Sequence, residues 1–482
     1  MSLSMNSAVN LWTRIGTRWL PFADAASDEV SLARLLRLAL FQIPVGMAMV
    51  LMTGTINRVM IVELGVHAWL VALMIAIPIL FAPLRTLIGH RSDTHRSVLG
   101  WRRTPYLWIG LLLQFGGYVV LPPSLLLLSG NAHTTGDAAL IVGQGGAALA
   151  FLLIGFGIHY SQTAGLALVN DVVPEDRRPR AVALMYMMLL VGMILSAIAF
   201  SFLLNDFSSD LLIRVIHGAA VFSVVINFIS MWKQEARDAG RAALSRTERP
   251  AFSATWRTYT EGRPAVRLLV AVFLGTMAFG MQDVLLEPYG GEILSLTVSQ
   301  TTLLTALMAG GTLAGFFIAV RVFSRGMHAC RLAAIGALIG LPGFAAVLFA
   351  NPLDSTLMFN LGTALIGLGT GLFAVGSLTA TMELASQDTS GLAAGAWGGV
   401  QATAVGLGIA SGGALRDIVG SIAATGALGE AMNTPAAGYA TVYCIEIVLL
   451  FATLIAIGPL VRETGNFSKR YVSKFGLTEM PG

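Results

Sequence analysis

The sequence predicts an all-α integral membrane protein whose twelve transmembrane helices form two six-helix halves related by pseudo-two-fold symmetry. Three observations predict this fold class. The chain of 482 residues is 55% hydrophobic and only 12% charged, about half the charged share of a soluble domain. Twelve segments have the length of about 20 mostly apolar residues that a spanning helix needs. A short motif that carries charged residues at the end of an apolar segment occurs once in each half.

The twelve segments are joined mostly by short connections, and the longest polar stretch lies between segments six and seven. We predict the spans at residues 35–57, 67–88, 105–128, 139–168, 181–204, 211–232, 266–287, 301–323, 331–350, 357–382, 392–420 and 439–461. The chain then divides into an N-terminal region, a first bundle, a central loop, a second bundle and a tail, at 1–34, 35–232, 233–265, 266–461 and 462–482. In the N-terminal region, the spacing of Trp12, Ile15 and Trp19 predicts an amphipathic helix, which lies on the membrane surface or packs on the bundle.

The basic residues are concentrated on one side of the predicted membrane. With the N-terminus in the cytoplasm, 27 of the 30 Lys and Arg residues fall in cytoplasmic segments or at the cytoplasmic ends of the spans. This asymmetry follows the positive-inside rule, and it predicts that both termini and the central loop are cytoplasmic. It also accounts for the pI of about 9.2, so no nucleic-acid partner is expected.

The repeated motif reads NRVMIVELG at 57–65 and QDVLLEPYG at 282–290. Its charged residues are Arg58, Glu63, Asp283 and Glu287. Charge at membrane depth is costly and usually marks a functional interior, so these residues form a proton or cation relay or a structural pairing between segments one and seven. We predict that Arg58 pairs with Asp283, because opposite charges stand at equivalent positions of the two motifs. Glu287 directly precedes a proline, so we expect it where the helix ends and water begins.

The two halves align beyond this motif. The order of segments is the same in both halves, which predicts a parallel repeat about an axis along the membrane normal, the major facilitator architecture. The loop after segment two has the Gly and the Asp that major facilitators carry there, but Thr94 stands where the family has Arg. We expect a cytoplasmic latch or gate from Asp93, Arg96, Asp171, Arg177 and Glu383. The alternative is a loop that only sets topology, with ordinary helix caps.

Six longer runs carry a more specific resemblance. They are PFADAASDEVSLARLLRLALFQ, NRVMIVELGV, LIGHRSDTHRSVLGWRRTPY, SQTAGLALVNDVVPEDRRPR, WKQEAR and GMQDVLLEPYGGEILSLTVSQTTLLTA. Through these runs the chain resembles the PucC/LhaA family of purple photosynthetic bacteria, a branch of the major facilitator superfamily, and its LhaA-type members above all. The resemblance implies an assembly factor for the reaction-centre core antenna, light-harvesting complex 1 (LH1), in the intracytoplasmic membrane. The partners it implies are light-harvesting antenna polypeptides, reaction-centre/LH1 assembly intermediates, bacteriochlorophyll synthesis enzymes and the translocation machinery, all within the lipid bilayer.

The resemblance also implies that bacteriochlorophyll is carried or transiently bound. Its magnesium needs an axial ligand, and histidine is the commonest metal ligand among side chains. His67 stands at the outer end of the second span, so only His159 and His217 lie in the interior of a predicted span, and both lie beside small residues that allow a flat ring to approach. Further candidate ligands are Gln162, Gln114, Gln282 and Gln401. The alternative for each of these side chains is an ordinary hydrogen bond between helices.

Two other functions stay open on the residues alone. The charges within the spans suit a proton-coupled solute transporter, and the lipid-facing helices suit a pigment-free scaffold for antenna assembly, including that of the peripheral antenna. Cys330 and Cys444 lack metal-ligand spacing, and the sequence shows no nucleophile–base pair and no phosphate-binding loop. We therefore expect no enzyme activity and no metal or nucleotide cofactor.

Overall fold

The helices of the structure match the predicted spans one for one. The computed structural model describes residues 30–82, 88, 101, 103–130, 137–174, 177–235, 263–384 and 390–467, and the regular elements within them are all helical. In chain order the long helices are α1, Leu32–Glu63; α2, Ala68–Leu80; α3, Thr104–Leu128; α4, Asp137–Val172; α5, Arg178–Leu203; α6, Ser209–Met231; α7, Arg263–Gly280 and Leu286–Glu292; α8, Val298–Phe323; α9, Ala329–Ala350; α10, Thr356–Glu383; α11, Ser390–Ala424; and α12, Ala436–Phe467. Ten of them are long and apolar enough to cross a membrane. The other two are α2, with 13 residues, and α11, with 35 residues and many glycines that lower its hydropathy.

The packing of the helices shows the predicted pseudo-two-fold symmetry. Within the first half α3 packs on α4, α1 on α5 and α6 on α3, and within the second half α9 packs on α10, α7 on α11 and α12 on α9. These pairs correspond when α1–α6 are exchanged with α7–α12. Between the halves α2 packs against α11 and α5 packs against α8, and the same exchange converts one contact into the other. The all-α fold with two related six-helix halves is therefore confirmed.

Glycine allows the closest of these helix contacts, and it does so at corresponding places. A Cβ on Gly157 of α4 would lie 2.6 Å from the carbonyl oxygen of Gly110 on α3. In the second half, a Cβ on Gly336 of α9 would lie 2.7 Å from the carbonyl oxygen of Gly369 on α10. Helices in lipid associate by close packing rather than by the hydrophobic effect. Small residues at these contacts therefore stabilise each half, because they let the backbones approach closely.

Helices α1 and α7, which correspond by symmetry, both depart from α-geometry near the repeated motif. α1 contains π-helical turns at Val50–Thr55 and Val59–Glu63, and it ends at Glu63, beyond the predicted end at residue 57. α7 is interrupted by a 3₁₀ turn at Met281–Val284, where the sequence predicted a continuous helix. Pro288 explains this interruption, because a proline has no N–H to donate to the carbonyl four residues earlier. That carbonyl, on Val284, instead accepts a hydrogen bond from Asn57 Nδ2 of α1 at 2.9 Å.

Some predicted regions fall outside the described residues. They are the N-terminal amphipathic helix, most of the loop between α2 and α3, and most of the central loop. At the other end of the chain, α12 continues to Phe467, which is beyond the predicted end of the last span at residue 461.

The apolar core joins the two halves in the middle of the bundle and toward one end. We call the end that holds the start of α1 and the end of α6 the terminal face, and the other end the opposite face. Toward the opposite face the halves approach closely: a Cβ on Gly413 of α11 would lie 2.8 Å from the carbonyl oxygen of Ala68 on α2. At the terminal face the described apolar side chains form separate clusters, one around Phe41 in the first half and another around Ala265 and Ala393 in the second.

Candidate functional site

The break in α7 and the π-helical turns of α1 meet in a buried polar region between the halves. Asn57 is fully buried, and besides Val284 its Nδ2 donates to the carbonyl oxygen of Thr53 at 3.0 Å. The hydroxyl groups of Thr55 on α1 and Thr302 on α8 lie 3.2 Å apart, which is a second polar contact between the halves. Irregular helices whose free backbone groups face a polar interior are typical of binding sites at membrane depth.

Arg58 is 4% exposed, and it does not form the predicted pair with Asp283. Its guanidinium makes an ion pair with Glu63 on the same helix and donates to the carbonyl oxygen of Leu296 at 3.2 Å. Asp283 instead accepts a hydrogen bond from Gln282 Nε2 at 2.7 Å and makes no ion pair with the described residues. The π-helical turn at the end of α1 explains the difference, because its wider turn brings a side chain five residues away back to the same side of the helix.

Glu287 is buried, whereas the sequence predicted that it would lie at the end of the helix beside water. It lies in the part of α7 that follows the 3₁₀ turn, and it is 3% exposed. Its Oε1 accepts a hydrogen bond from the hydroxyl of Thr305 on α8 at 2.5 Å. A Cβ on Gly54 of α1 would collide with the same carboxylate. Arg58 is close enough to act electrostatically on it. Glu287 therefore belongs to the polar region between α1, α7 and α8.

Glu446 on α12 completes this region, and sequence reasoning missed it. The residue is fully buried, neither carboxylate oxygen has a partner at standard hydrogen-bond geometry in the described structure, and the carboxylate lies near Asp283 and near the backbone N–H of Gln282 in the break of α7. A signal was present, because Glu446 is the only charged residue in the predicted span at 439–461. A single glutamate in an otherwise apolar span is a candidate functional residue by the same argument that singled out the repeated motif.

A second charged network lies at the opposite face, and it also was not predicted. Arg416 on α11 makes ion pairs with Glu292 on α7 and, at 2.7 Å, with Asp417. The guanidinium carbon of Arg416 lies 4.8 Å from the ring centroid of Tyr439 on α12, and the Tyr439 hydroxyl donates to Glu292 at 2.8 Å. This network ties α7, α11 and α12 together.

Asp417 extends the second network to the other half of the protein. Its Oδ2 accepts from the backbone N–H of Trp69, in the first turn of α2, at 2.8 Å. A carboxylate at the N-terminus of a helix is favoured by the free N–H groups and by the helix dipole. The symmetry-related contact is neutral: the hydroxyl of Ser201 on α5 lies 3.0 Å from that of Ser299 in the first turn of α8.

The candidate magnesium ligands on α3 and α4 are engaged in helix packing. His159 is 6% exposed, and its Nε2 donates to the carbonyl oxygen of Pro78 on α2 at 2.7 Å. Gln114 is fully buried and donates to the Ser161 hydroxyl at 3.1 Å. Gln162 is buried in the same region. For His159 and Gln114, the structure therefore shows the hydrogen bond between helices that was the alternative interpretation.

His217 has a different environment. It lies exposed on the outer face of α6 with no hydrogen-bond partner among the described residues, and a Cβ on the adjacent Gly218 would meet nothing within 4 Å. One turn further along α6, Val221 is 60% exposed and Phe222 is 44% exposed. Of the remaining glutamines, Gln282 lies in the break of α7 and Gln401 is half-buried on α11. His217 thus presents an imidazole to an apolar surface that faces the membrane.

The predicted cytoplasmic gate residues do not come together in the described structure. Asp171 pairs with Arg103 of α3 at 2.9 Å, within the same half. Arg177 stands at the N-cap position of α5. Glu383 is exposed at the end of α10 and makes no ion pair with the residues that the structure describes. Asp93 and Arg96 lie outside the described residues.

Beside Arg103, the end of α6 closes the terminal face of the first half. Both oxygens of Glu235 accept backbone N–H groups at the start of α3, from Arg103 at 2.9 Å and Thr104 at 2.8 Å. Next to this cap is a pocket of about 520 Å³ whose walls include three tryptophans and a phenylalanine. The lining residues are Trp101, Thr104, Trp108, Phe228, Met231, Trp232, Lys233, Gln234 and Glu235. Tryptophans are typical of the level where lipid headgroups begin, so this pocket marks the membrane surface at the terminal face.

Known proteins match the chain over most of its length. Residues 55–465 match the family model described as "PUCC protein". The chain is 53% identical over 414 residues to Protein PucC of Rhodovulum sulfidophilum. The matched region covers 86% of this chain and 91% of that relative. It is 50% identical over 466 residues to a Rhodobacter capsulatus protein described as "Uncharacterized protein in puhA-bchM intergenic region". That match covers 96% of this chain and 97% of the relative. It is 28% identical over 413 residues to the bacteriochlorophyll synthase 44.5 kDa chain of Rhodobacter capsulatus, and this match covers 80% of this chain and 88% of the relative.

Solved structures share the fold at low sequence identity. A bacterial homologue of the iron transporter ferroportin in its inward-facing state gives a TM-score of 0.66 at 14% identity, covering 89% of this chain and 99% of that chain. A bacterial homologue of the human lysosomal transporter Spinster gives a TM-score of 0.63 at 14% identity, covering 92% and 98%. At this identity the likeness shows the fold alone, and it agrees with the predicted fold of twelve helices in two halves.

Proposed function

The chain belongs to the PUCC protein family, and from this membership we propose that it is an assembly factor for a light-harvesting complex of photosynthetic bacteria. In this proposal it binds bacteriochlorophyll and delivers it to antenna polypeptides in the membrane. The relatives that bear the name PucC and the relative named as a bacteriochlorophyll synthase chain support a role in pigment and antenna assembly. The LhaA-like runs support duty at LH1, the core antenna around the reaction centre.

The single structural observation that carries pigment binding is the exposure of His217 on the outer face of α6. An axial ligand must be free to reach the magnesium, and the small residue beside it must leave room for the ring. His217 and Gly218 meet both requirements, and the exposed Val221 and Phe222 offer apolar contacts to the ring or its tail. His159 meets neither requirement, because it is buried and hydrogen-bonded to Pro78. The residues present at His217 thus fit a bacteriochlorophyll, whose magnesium His217 would ligate.

A pigment at this position lies on the surface of the bundle rather than inside it. It can pass to a neighbouring membrane polypeptide by lateral contact, without any opening of the two halves. We therefore propose that the outer face of α6 is where antenna polypeptides, or reaction-centre/LH1 assembly intermediates, meet the protein. Bacteriochlorophyll synthesis enzymes and the translocation machinery are the proposed partners on the supply side.

The proposed orientation follows from the charges and the aromatic residues together. The terminal face carries the tryptophan-lined pocket and Lys233, and the positive-inside rule assigns such a face to the cytoplasm. We propose that both termini are cytoplasmic and that the membrane is the intracytoplasmic membrane of a photosynthetic bacterium.

The test is pigment content of the full-length protein purified in mild detergent from its phototrophic host. We expect a near-infrared bacteriochlorophyll band that stays with the protein through gel filtration, and about one pigment extracted per chain. The variant His217→Ala should lose this band, while His159→Ala, a matched change on another helix, should keep it if its elution profile shows that it is folded. Equal pigment content in parent and His217→Ala would contradict the assignment of the ligand.

Two other outcomes separate the proposed function from its alternatives. A colourless parent protein that still co-purifies with antenna polypeptides would favour a pigment-free scaffold. A colourless protein without antenna partners would favour a solute transporter, and uptake that collapses with the proton gradient would establish it. In a deletion strain, selective loss of the core antenna band assigns the protein to LH1, whereas selective loss of the peripheral band overturns that assignment.

A further inference from the structure

The buried region at the break of α7 has many hydrogen-bond acceptors and few donors. Its unpartnered donors among the described residues are Arg58 Nε and the Tyr443 hydroxyl, and they are outnumbered by its unpartnered acceptors, which are both carboxylate oxygens of Glu446, Oε2 of Glu287, Oε1 of Gln282 and Oδ1 of Asn57. The four acceptor residues are each at most 3% exposed. Buried polar atoms in proteins are nearly always hydrogen-bonded, so a surplus of acceptors at one place points to something that supplies donors. A protonated carboxyl group is the simplest such donor, because the added proton turns an acceptor oxygen into a donor.

The carboxylates of this region are not neutralised by basic side chains. Glu446 faces the 3₁₀ turn of α7 and interacts with Asp283, which is another acid. Among the described residues, the basic residue that acts on this group is Arg58, which acts on Glu287 and is itself paired with Glu63. From α12, the hydroxyl of Tyr443 also faces Glu446. Two adjacent carboxylates without a cation cannot both remain ionised at membrane depth at reasonable cost.

The two acids differ in their access to the surroundings. Glu446 is completely buried, whereas Asp283 is half-buried. Asp283 is also held in place, because it accepts the Gln282 Nε2 hydrogen bond at 2.7 Å within the turn that breaks the helix. The pair therefore combines one partly accessible acid with one that is fully buried.

We propose that Glu446 and Asp283 form a proton-binding carboxyl pair at the break of α7, with the amide oxygens of Gln282 and Asn57 accepting from the bound protons. The ligand is the proton rather than a metal ion, since no group of three acidic, histidine or cysteine side chains in the described residues is arranged to hold a metal. This site is independent of the proposed pigment position on α6, and it stands whether or not bacteriochlorophyll is carried.

The site is placed where its charge would affect the contact between the halves. The 3₁₀ turn at Met281–Val284 packs against α11 and α12 of its own half and against α1 and α2 of the other half. Loss of the bound protons would leave negative charge in this shared interior, next to the buried Glu287. The protonated pair thus keeps the halves packed around α7, and removal of its protons weakens that packing.

The test is infrared spectroscopy of the pigment-free, full-length protein in lipid nanodiscs. A protonated carboxyl group has a C=O stretching band that an ionised carboxylate lacks. We expect such a band at neutral pH in the parent protein, and we expect Glu446→Gln to lose it. The control Glu430→Gln changes an exposed glutamate in the connection between α11 and α12, and it should leave the band unchanged.

A second readout separates proton binding from a purely structural role. Glutamine resembles the protonated form, so Glu446→Gln should keep the thermal stability of the parent at neutral pH and lose the decline that the parent shows at alkaline pH. If Glu446→Gln does not fold, Asp283→Asn provides the same comparison. Absence of the band in the parent, its persistence in both variants, or its disappearance when Na⁺ replaces an organic cation would each overturn the proposal.

Discussion

Asp417 provides the strongest described link between the two halves at the opposite face, and its removal has a calculable cost. The variant Asp417→Ala deletes the hydrogen bond from the backbone N–H of Trp69, which is 2.8 Å long and involves a charged acceptor. Hydrogen bonds to charged groups contribute about 1.5–3 kcal/mol, and a carboxylate at a helix N-terminus contributes about 0.3–1 kcal/mol more. The Trp69 residue is 46% exposed, so water can replace part of the bond and the lower ends of these ranges apply. The variant also removes the 2.7 Å ion pair between Asp417 and Arg416 on the same helix, but Arg416 keeps its ion pair with Glu292, so no unpaired charge is left behind.

We therefore expect Asp417→Ala to lower the free energy of unfolding by about 2 kcal/mol. The measurement is reversible unfolding of the full-length protein in mixed micelles, followed by circular dichroism. The matched control is Ser201→Ala, which removes the neutral contact at the symmetry-related position and should cost only about 0.5–1 kcal/mol. If Asp417→Ala costs no more than Ser201→Ala, the charge of Asp417 does not stabilise the contact between the halves, and the reasoning is wrong.

Two further predictions follow from the packing and from the ion pair of α1. Gly157→Ala should lower the free energy of unfolding by about 1–3 kcal/mol, because its new Cβ would overlap backbone atoms of α3. Gly145→Ala on the same helix should be neutral or stabilising, because a Cβ there would meet nothing within 4 Å. The same unfolding measurement in mixed micelles compares the two variants. A double-mutant cycle of Arg58→Gln with Glu63→Gln should give a coupling energy of about 1 kcal/mol, while the cycle of Arg58→Gln with Asp283→Asn should be additive within about 0.5 kcal/mol. A larger coupling to Asp283 than to Glu63 would restore the pair that the sequence predicted.

The spans and their symmetry could be predicted from sequence because they depend on properties that are local and strong. Length, hydropathy and the position of basic residues decide where a helix crosses and which way it runs. The repeated motif then identified α1 and α7 as corresponding helices. The structure confirms that correspondence through the matching helix contacts of the two halves, and both helices depart from α-geometry near the motif.

The partners of the charged residues could not be predicted in the same way, because they depend on changes of helical geometry that hydropathy does not report. The prediction of an Arg58–Asp283 pair assumed two regular helices facing each other. The π-helical turn of α1 turned Arg58 toward Glu63, and the interruption of α7 placed Asp283 beside Gln282. The proline at residue 288 was visible in the sequence as a helix-breaking residue. That it would free a carbonyl for Asn57 of α1 required the structure.

The structure separates two chemistries that the sequence left in competition. Charged residues within the spans favoured a transporter, and histidines within the spans favoured a pigment carrier. In the structure the acids, Glu446 with Asp283 and Glu287, lie inside the bundle at the contact between the halves, whereas the unpartnered His217 lies on its outer face. A pigment ligated by His217 does not touch the acids, so the two sites can be inactivated one at a time. This arrangement therefore requires that His217→Ala loses the pigment and keeps the carboxyl band. It equally requires that Glu446→Gln loses the carboxyl band and keeps the pigment.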